Sequence, residues 1–219
     1  MKNVRNNMIK GAFAILFVLS LNGCGGEEKK EYYGGGALKH VANYNSDGKL
    51  DGEYKSYFDD GQIKEDKNYA DGKLDGNYKK FNEEGKPLEI SSYSNGKLDG
   101  EFEQFTYEGK KKEIRNYIDG NLDGAFTTFH ENGKIKMVTH YKNGVQNGEN
   151  KFFFPDGTIE QEANFKDGKF NGGFKFYFSN GKLQFLKNYV NGKLEGAQFQ
   201  YNRRGDVIAE YQYKNDQRQ

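Results

Sequence analysis

The chain of 219 residues has one cysteine, two prolines and no tryptophan. A single cysteine excludes an intramolecular disulfide and any zinc site built on several thiolates. Hydrophobic residues make up only 34% of the chain, too few aliphatics for a thick two-layer core. The net charge of +1 lacks the basic excess that nucleic-acid binding requires. Nothing has helical period or length beyond the N-terminus. What is present in quantity is glycine (29), tyrosine (16) and phenylalanine (18), too many aromatics for a disordered chain. Aromatics interleaved with glycine point to β-structure with frequent tight turns.

The N-terminus is not part of that fold. Lys2, Arg5 and Lys10 precede a short apolar run from Gly11 to Leu21, too short to span a bilayer as a mature helix. It reads as the apolar region of a signal peptide. Leu21-Asn22-Gly23-Cys24 follows, and it resembles the bacterial lipoprotein box, in which the cysteine receives lipid after cleavage. Asn22 is a mild departure from the small or β-branched residue preferred there. Residues 1–23 are therefore expected to be a lipoprotein signal peptide in helical form, with lipidation at Cys24 and residues 24–33 as a flexible tether. The other readings are a plain signal peptide with an incidental cysteine, or an uncleaved anchor. Loss of residues 1–23 removes three cations and leaves 30 Lys and Arg against 32 Asp and Glu. Gly25, in the place where Asp signals retention at the inner of two membranes, favours the outer membrane.

From residue 34 the chain is periodic. Asp/Asn-Gly pairs begin at Asp47, Asp71, Asn95, Asp119, Asn143, Asp167 and Asn191, each 24 residues after the last. A second glycine stands four residues on (Gly52, Gly76, Gly100) and a third nine beyond that (Gly61, Gly85, Gly109), repeating through all seven units. The unit reads Asp/Asn-Gly-x-x-Asp/Asn/Glu-Gly-x-Tyr/Phe-x-x-Tyr/Phe-x-x-x-Gly, followed by about seven strand-like residues. Three aromatic rows result: one starting Tyr54, Tyr78, Phe102 and Phe126, one starting Tyr57, Phe81 and Phe105, and one starting Tyr69, Tyr93 and Tyr117. Asn150 and Gln198 break the first row. A half-unit, 34–46, precedes full units at 47–70, 71–94, 95–118, 119–142, 143–166, 167–190 and 191–214, and Asn215 opens an eighth. Terminal half-units of this kind suit the capping of a stacked array.

Turns such as Asp59-Asp60-Gly61 and Pro155-Asp156-Gly157 resemble a type I turn closed by a left-handed residue. The Asp-Gly-Lys-Leu-Asp-Gly stretches predict a longer loop with glycine at both ends. The fold expected is therefore all-β: one elongated, twisted antiparallel meander of seven 24-residue β-hairpins, with about fifteen strands of roughly five to seven residues. Tyr and Phe are expected to form a thin core on one face, with Lys and Glu on the other.

The repeated Gly-x-Tyr/Phe-x-x-Tyr/Phe-x-x-x-Gly pattern, followed by Asp/Asn-Gly-x-x-Asp/Asn-Gly, resembles the MORN-repeat variant family over roughly residues 34–214. Among bacterial members of that family are exported lipoproteins and antitoxin-type proteins. The resemblance implies an elongated hairpin array used for protein contacts or membrane-proximal scaffolding, without catalysis. This chain departs from the more familiar MORN repeat, whose Tyr-x-Gly-x-Trp core needs the tryptophan missing here.

The paired acids of the turns, such as Asp47 with Asp51, offer calcium two carboxylates per loop, but Lys49, Lys73 and Lys97 stand between them and the reading favoured is turn chemistry. His40, His130 and His140 are the only histidines and have no zinc-like company. A regular meander offers no unique pocket for paired catalytic carboxylates. No enzyme, metal or cofactor is expected. Unit five is the most irregular, and with its neighbour it is the densest in aromatics. Strand alternation sends some of those rings outward, so Phe152, Phe154, Phe176 and Phe178 are expected to form an exposed, partner-binding patch. The function expected is a membrane-anchored, protein-binding scaffold of the cell envelope, held by lipidated Cys24. The alternatives are a cell-wall or glycan-binding module, and an antitoxin or immunity-type protein acting outside the cytoplasm.

Overall fold

The structure, a computed structural model, describes residues 17–19 (backbone alone) and 26–219. All regular elements among them are strands: β1 (Phe17–Leu19), β2 (Glu27–Tyr32), β3 (Leu38–Tyr44), β4 (Leu50–Tyr57), β5 (Ile63–Ala70), β6 (Lys73–Phe81), β7 (Pro87–Ser94), β8 (Lys97–Phe105), β9 (Lys111–Ile118), β10 (Asn121–Phe129), β11 (Ile135–Lys142), β12 (Val145–Phe153), β13 (Ile159–Lys166), β14 (Lys169–Phe170), β15 (Gly172–Tyr177), β16 (Leu183–Val190), β17 (Lys193–Leu194), β18 (Gly196–Tyr201), β19 (Val207–Lys214) and β20 (Gln217–Arg218). They form one antiparallel sheet whose hydrogen-bonded neighbours follow chain order, the expected meander. β14 with β15, and β17 with β18, are single meander strands broken at Asn171 and Glu195, which bond back to the carbonyls of Asn164 and Asn188.

The two turns of each unit differ in kind. The Asp59-Asp60-Gly61 type is the predicted one: Gly61 N–H bonds to Phe58 O and Phe58 N–H to Gln62 O. The Asp-Gly turn is tighter than predicted. From Asp71 onward it is a two-residue turn with both residues at positive φ (Asp71 +49°, Gly72 +83°), and the Lys-Leu-Asp-Gly that follows is strand rather than loop. Two consecutive left-handed residues define a type I′ turn, which Asp or Asn followed by Gly adopts at least cost. The first Asp-Gly, at Asp47, is different because the half-unit carries one extra residue. There Gly48 N–H bonds to Asn45 O, and the side chain of Asn45 caps Asp47 and Lys49, giving the longer turn class instead.

The N-terminal boundary also differs from expectation. Glu27–Tyr32 is strand β2, in register with β3 from Glu27↔Tyr44 to Tyr32↔Leu38, so the flexible tether expected over 24–33 is folded array over most of its length. The signal helix expected over 1–23 lies almost wholly outside the described residues. Where it is described, Phe17–Leu19 is extended and pairs with Lys30, Lys29 and Glu28, because the unpaired backbone of an edge strand is a ready template for another.

Register slips set which side chains share a face. On β6 four residue steps, Leu74 to Tyr78, cover what two steps cover on β5, Tyr69 to Lys67. The bulge is possible because Gly76 takes φ +103°, and its equivalents do likewise. Side chains opposite it take the freed carbonyls: Asn43 Nδ2 donates to Glu53 O at 3.0 Å, Asn116 Nδ2 to Ala125 O at 2.9 Å and Asn188 Nδ2 to Ala197 O at 2.7 Å. Alternation then places the Tyr54 and Tyr69 rows on one face and the Tyr57 row on the other, where Tyr177 Oη donates to Glu162 beside Lys175. The single-faced aromatic core is thus replaced by rings on both faces, with charges among them.

The sheet is one layer deep. Among the described residues only Ala42 and Ala163 are fully buried apolar residues, and the chain exposes 14291 Å² where a globular protein of this mass would expose roughly 10,000 Å². Stability must come from backbone pairing, turn geometry and half-buried cross-strand contacts. Gly100, at φ +104°, has Ser92 Oγ only 2.8 Å from where a Cβ would sit. Gly100→Ala should therefore lower stability by about 1–3 kcal/mol. Gly173→Ala, without positive φ and with its nearest neighbour at 3.7 Å, should stay within about 0.5 kcal/mol of wild type. Urea unfolding midpoints of the two variants check this.

Candidate functional site

The face bearing Tyr54 and Tyr69 has three rows running across the strands. The central one passes through Ala42, Tyr54, Lys67, Tyr78 and Ser91, then Phe102, Arg115, Phe126, Thr139 and Asn150, then Ala163. Two cations sit between rings in this row. Lys67 Nζ lies 4.7 Å from the centre of the Tyr54 ring and 5.8 Å from that of Tyr78, and Arg115 lies 5.6 Å and 5.1 Å from Phe102 and Phe126. Each cation has a carboxylate two residues back on its own strand: Glu65 at 3.0 Å from Lys67, Glu113 at 2.6 Å from Arg115. Ring faces and a paired carboxylate together hold a half-buried cation in a sheet that has no second layer to cover it.

The second row contains those carboxylates and changes character along the array. It runs Glu65, Lys80, Glu89, Gln104, Glu113 and Thr128 through the early units. It then continues Met137, Phe152, Gln161, Phe176 and Phe185 through the later ones. The third row alternates Tyr and Leu at Tyr69↔Leu74, Tyr93↔Leu98 and Tyr117↔Leu122, and becomes Phe165↔Phe170 where units five and six meet. One end of the face is charged and self-neutralised, and the other is apolar.

Environment separates the carboxylates chemically. Burial pushes Glu65 up, but the bonds it accepts from Lys67 and from the Tyr78 hydroxyl at 3.1 Å outweigh this and hold it below the usual carboxylate range. Glu89 is pushed above that range by burial, with the Ser91 hydroxyl and Lys80 offsetting it only in part.

The four expected patch residues do not form one exposed patch. Phe152, Phe154, Phe176 and Phe178 are all half-buried. Phe152 and Phe176 share the second row, each opposite Gln161, and Phe176 contacts Phe185 at 6.5 Å between ring centres. Phe154 and Phe178 open two of the Asp/Asn-Gly-closed turns, where their backbones bond to Thr158 and Lys182 and Arg203 covers the Phe178 ring. The reason is alternation combined with the turn: the last ring of each run has already left the strand. Cys24 lies outside the described residues.

The paired acids of the turns have a different use. The second acid of one unit accepts the backbone N–H of the next unit's turn, 20 residues on: Asp75 from Asn95 at 2.9 Å, Asp99 from Asp119 at 3.2 Å, Asp123 from Asn143 at 2.9 Å and Glu195 from Asn215 at 2.9 Å. Among the described residues no three His, Cys, Asp or Glu side chains stand close enough to share a metal ion. His130 and His140 each bond a backbone carbonyl, and His40 stacks on Tyr54 within 3.3 Å of Glu31. Sequence reasoning missed the cation–ring column because its positions, 67, 91, 115 and 139, carry Lys, Ser, Arg and Thr, so that no consensus residue marks them.

An open, single-layer array of stitched hairpins defines the molecule as a β-hairpin repeat protein. Residues 50–71, 74–95, 122–143, 146–167 and 171–191 match the MORN repeat variant family, and the chain contains repeats of that family. Such repeats often mediate protein or membrane binding and are generally non-catalytic. No curated protein sequence matches the chain. Among solved structures, a chain in "Crystal Structure of TcdB2-TccC3-Cdc42" is similar at 11% identity over 88% of this chain and 13% of its own length, with a TM-score of 0.24, and a likeness that low carries no argument.

The opposite environments of Glu65 and Glu89 predict opposite effects of neutralisation. Glu65 has its folded pKa lowered, so its stabilising contribution is present above the unfolded value of about 4.3 and is lost as pH falls through the folded one. Glu89 has its folded pKa raised, so its ionised form disfavours the fold, and that cost is relieved as pH falls through the folded value. At pH 7 Glu65→Gln should destabilise and Glu89→Gln should stabilise, each by less than about 1 kcal/mol because both groups are partly solvated. Both differences should shrink towards pH 4, as read from urea midpoints.

Proposed function

We propose that the protein is a lipid-anchored, non-catalytic scaffold of the cell envelope that binds a protein partner through the apolar end of its ring-bearing face. The observation carrying this reading is the second row's change from Glu65, Glu89 and Glu113 to Met137, Phe152, Phe176 and Phe185 in an otherwise uniform array. A row that only had to maintain the sheet would not change character at its midpoint. Half-buried rings on a face without a covering layer retain apolar surface for a partner to remove from water. The family's protein- or membrane-binding role supports the same reading.

The anchor rests on Leu21-Asn22-Gly23-Cys24. Because β2 begins at Glu27, only Gly25 and Gly26 would separate a lipidated Cys24 from the sheet, placing the first strand within about 10 Å of the bilayer surface. Cleavage ahead of Cys24 would also remove Phe17–Leu19 from the outer side of β2. The strand then presented is protected by charge, with Lys29–Glu27 at 3.0 Å and Lys30–Glu28 at 2.8 Å.

Metabolic palmitate labelling should mark the wild-type protein and not Cys24→Ser, and an unlabelled wild type would remove the anchor. A double Phe152→Ser, Phe176→Ser variant should keep its unfolding free energy to within about 2 kcal/mol of wild type and lose the partner captured by the wild-type array. Loss of the folded sheet in that variant would show that these rings are core, and undiminished capture would place the contact elsewhere.

A further inference from the structure

The first aromatic row is broken at two places, and the sheet treats them in opposite ways. At Asn150 the gap is sealed. Thr139, Asn150 and Ala163, side by side, are 2%, 5% and 0% exposed, and the Thr139 hydroxyl donates to Asn150 Oδ1 at 3.0 Å. At Gln198 the gap stays open. Gln198 is itself buried because its amide turns down into the strand break: Oε1 accepts from Asn188 N–H at 2.8 Å and Nε2 reaches the carbonyls of Asn188, Glu195 and Gly196 at 3.3 Å. The space a ring would have filled is left as a cleft of about 170 Å³, walled by Phe185, Leu194, Tyr211 and Tyr213.

One cation, Lys187, lines this cleft, and a second, the Arg218 guanidinium, lies 4.1 Å from the centre of the ring of its Tyr211 wall. Lys187 is the counterpart, in a later unit, of Lys67 and Arg115. Those two have Glu65 and Glu113 two residues back, but Lys187 has Phe185 in that place. Among the described residues neither Lys187 nor Arg218 stands in an ion pair, and both are exposed. The nearby carboxylates are engaged: Asp216 accepts the Leu194 N–H at 2.7 Å and Glu195 the Asn215 N–H.

We propose that this cleft binds a carboxylate carried on a single ring or a branched aliphatic group, with the carboxylate at Lys187 and the apolar part over Gln198. A cavity of this size matches one aromatic ring, since a cavity of about 150 Å³ suffices for benzene. The apolar walls take the hydrocarbon part of the ligand out of water, and the exposed Lys187 meets the carboxylate at the solvent edge. The site is independent of the anchor at Cys24, and it shares only Phe185 with the row through Phe152 and Phe176.

The test is binding of 3-phenylpropionate and of its neutral amide to the full chain, followed by calorimetry and by chemical-shift changes at Tyr211 and Phe185. The acid should bind at low-millimolar strength and the amide about tenfold more weakly, the difference a charge-assisted contact makes. Lys187→Met should weaken the acid about tenfold and leave the amide unchanged, and Lys187→Arg should restore it. Phe152→Ser should leave binding of the acid as it is. N-acetyl-Ala-Phe binding with its free carboxylate, but not as the amide, would support the proposal and place the natural group at the end of a polypeptide. Equal binding of acid and amide, insensitivity to Lys187→Met, or no binding of either acid at about 10 mM would overturn it.

Discussion

The hydrogen bond from the turn glycine of one unit to the strand of the unit before it fixes the architecture. Gly72 N–H reaches Leu50 O at 2.7 Å, and the same bond recurs at Gly96–Leu74, Gly120–Leu98, Gly144–Leu122, Gly168–Gln146 and Gly192–Phe170. It joins neighbouring hairpins, not the two strands of one hairpin. The left-handed conformation of the turn aims this N–H outward, so the residue that closes one hairpin also seats the next. In four units the second acid, Asp75, Asp99, Asp123 or Glu195, adds a side-chain bond on the same edge. On the opposite edge Tyr33 Oη donates to Tyr57 O, Asn82 Nδ2 to Tyr107 O, and His130 Nε2 bonds Phe153 O. Both edges are therefore stitched, and a repeat length other than 24 would put every donor out of reach of its acceptor.

Stitching from the edges lets the sheet dispense with a core. In a two-layer domain a face is covered by another layer, and each core side chain answers to many neighbours. Here a residue such as Arg115 answers only to Phe102, Phe126, Glu113 and Tyr117. Changes are therefore absorbed within one or two strands. That locality is why the second row can turn from Glu113 to Met137 in one unit without disturbing the turns on either side. Repeat arrays gain stability from nearest-neighbour terms, and the same property frees individual units to acquire different surfaces.

The period, the all-β meander and the Asp59-Asp60-Gly61 class of turn were legible because each depends on glycine and Asp/Asn at fixed spacing, and backbone conformation constrains those residues most. The two-residue length of the Asp-Gly turn was less legible. Lys73-Leu74-Asp75-Gly76 has the composition of a loop and becomes strand only because Gly76 forms a bulge there. That bulge and the slip at Tyr57 also decide which rings share a face, so consensus spacing alone could not assign them. Strand β2 was hidden because Glu27 and Lys29 replace the Gly and Tyr of Gly52 and Tyr54. A weak sign of it existed: Tyr32 precedes Tyr57 by the same 25 residues that separate Tyr44 from Tyr69. The patch expected at Phe152, Phe154, Phe176 and Phe178 was legible by half, since the strand rule holds for the first and third and stops where the chain turns.

The two breaks in the aromatic row show how a repeat protein can hold a singular site. Consensus positions are constrained by the neighbouring copies, so one substitution in a row leaves a gap that the backbone, pinned at both edges, cannot close by collapsing. Whether the gap matters depends on what flanks it. Thr139 and Ala163 are small, and they are buried together with Asn150, so no gap remains there. Lys187 and Tyr211 are long, and each is held apart from the other by its own strand, so the gap at Gln198 remains. A cation whose customary carboxylate has become Phe185 then borders an apolar space. Uniformity elsewhere in the sheet is what makes that combination a local feature, because nothing in the adjacent units shifts to neutralise the charge or fill the volume.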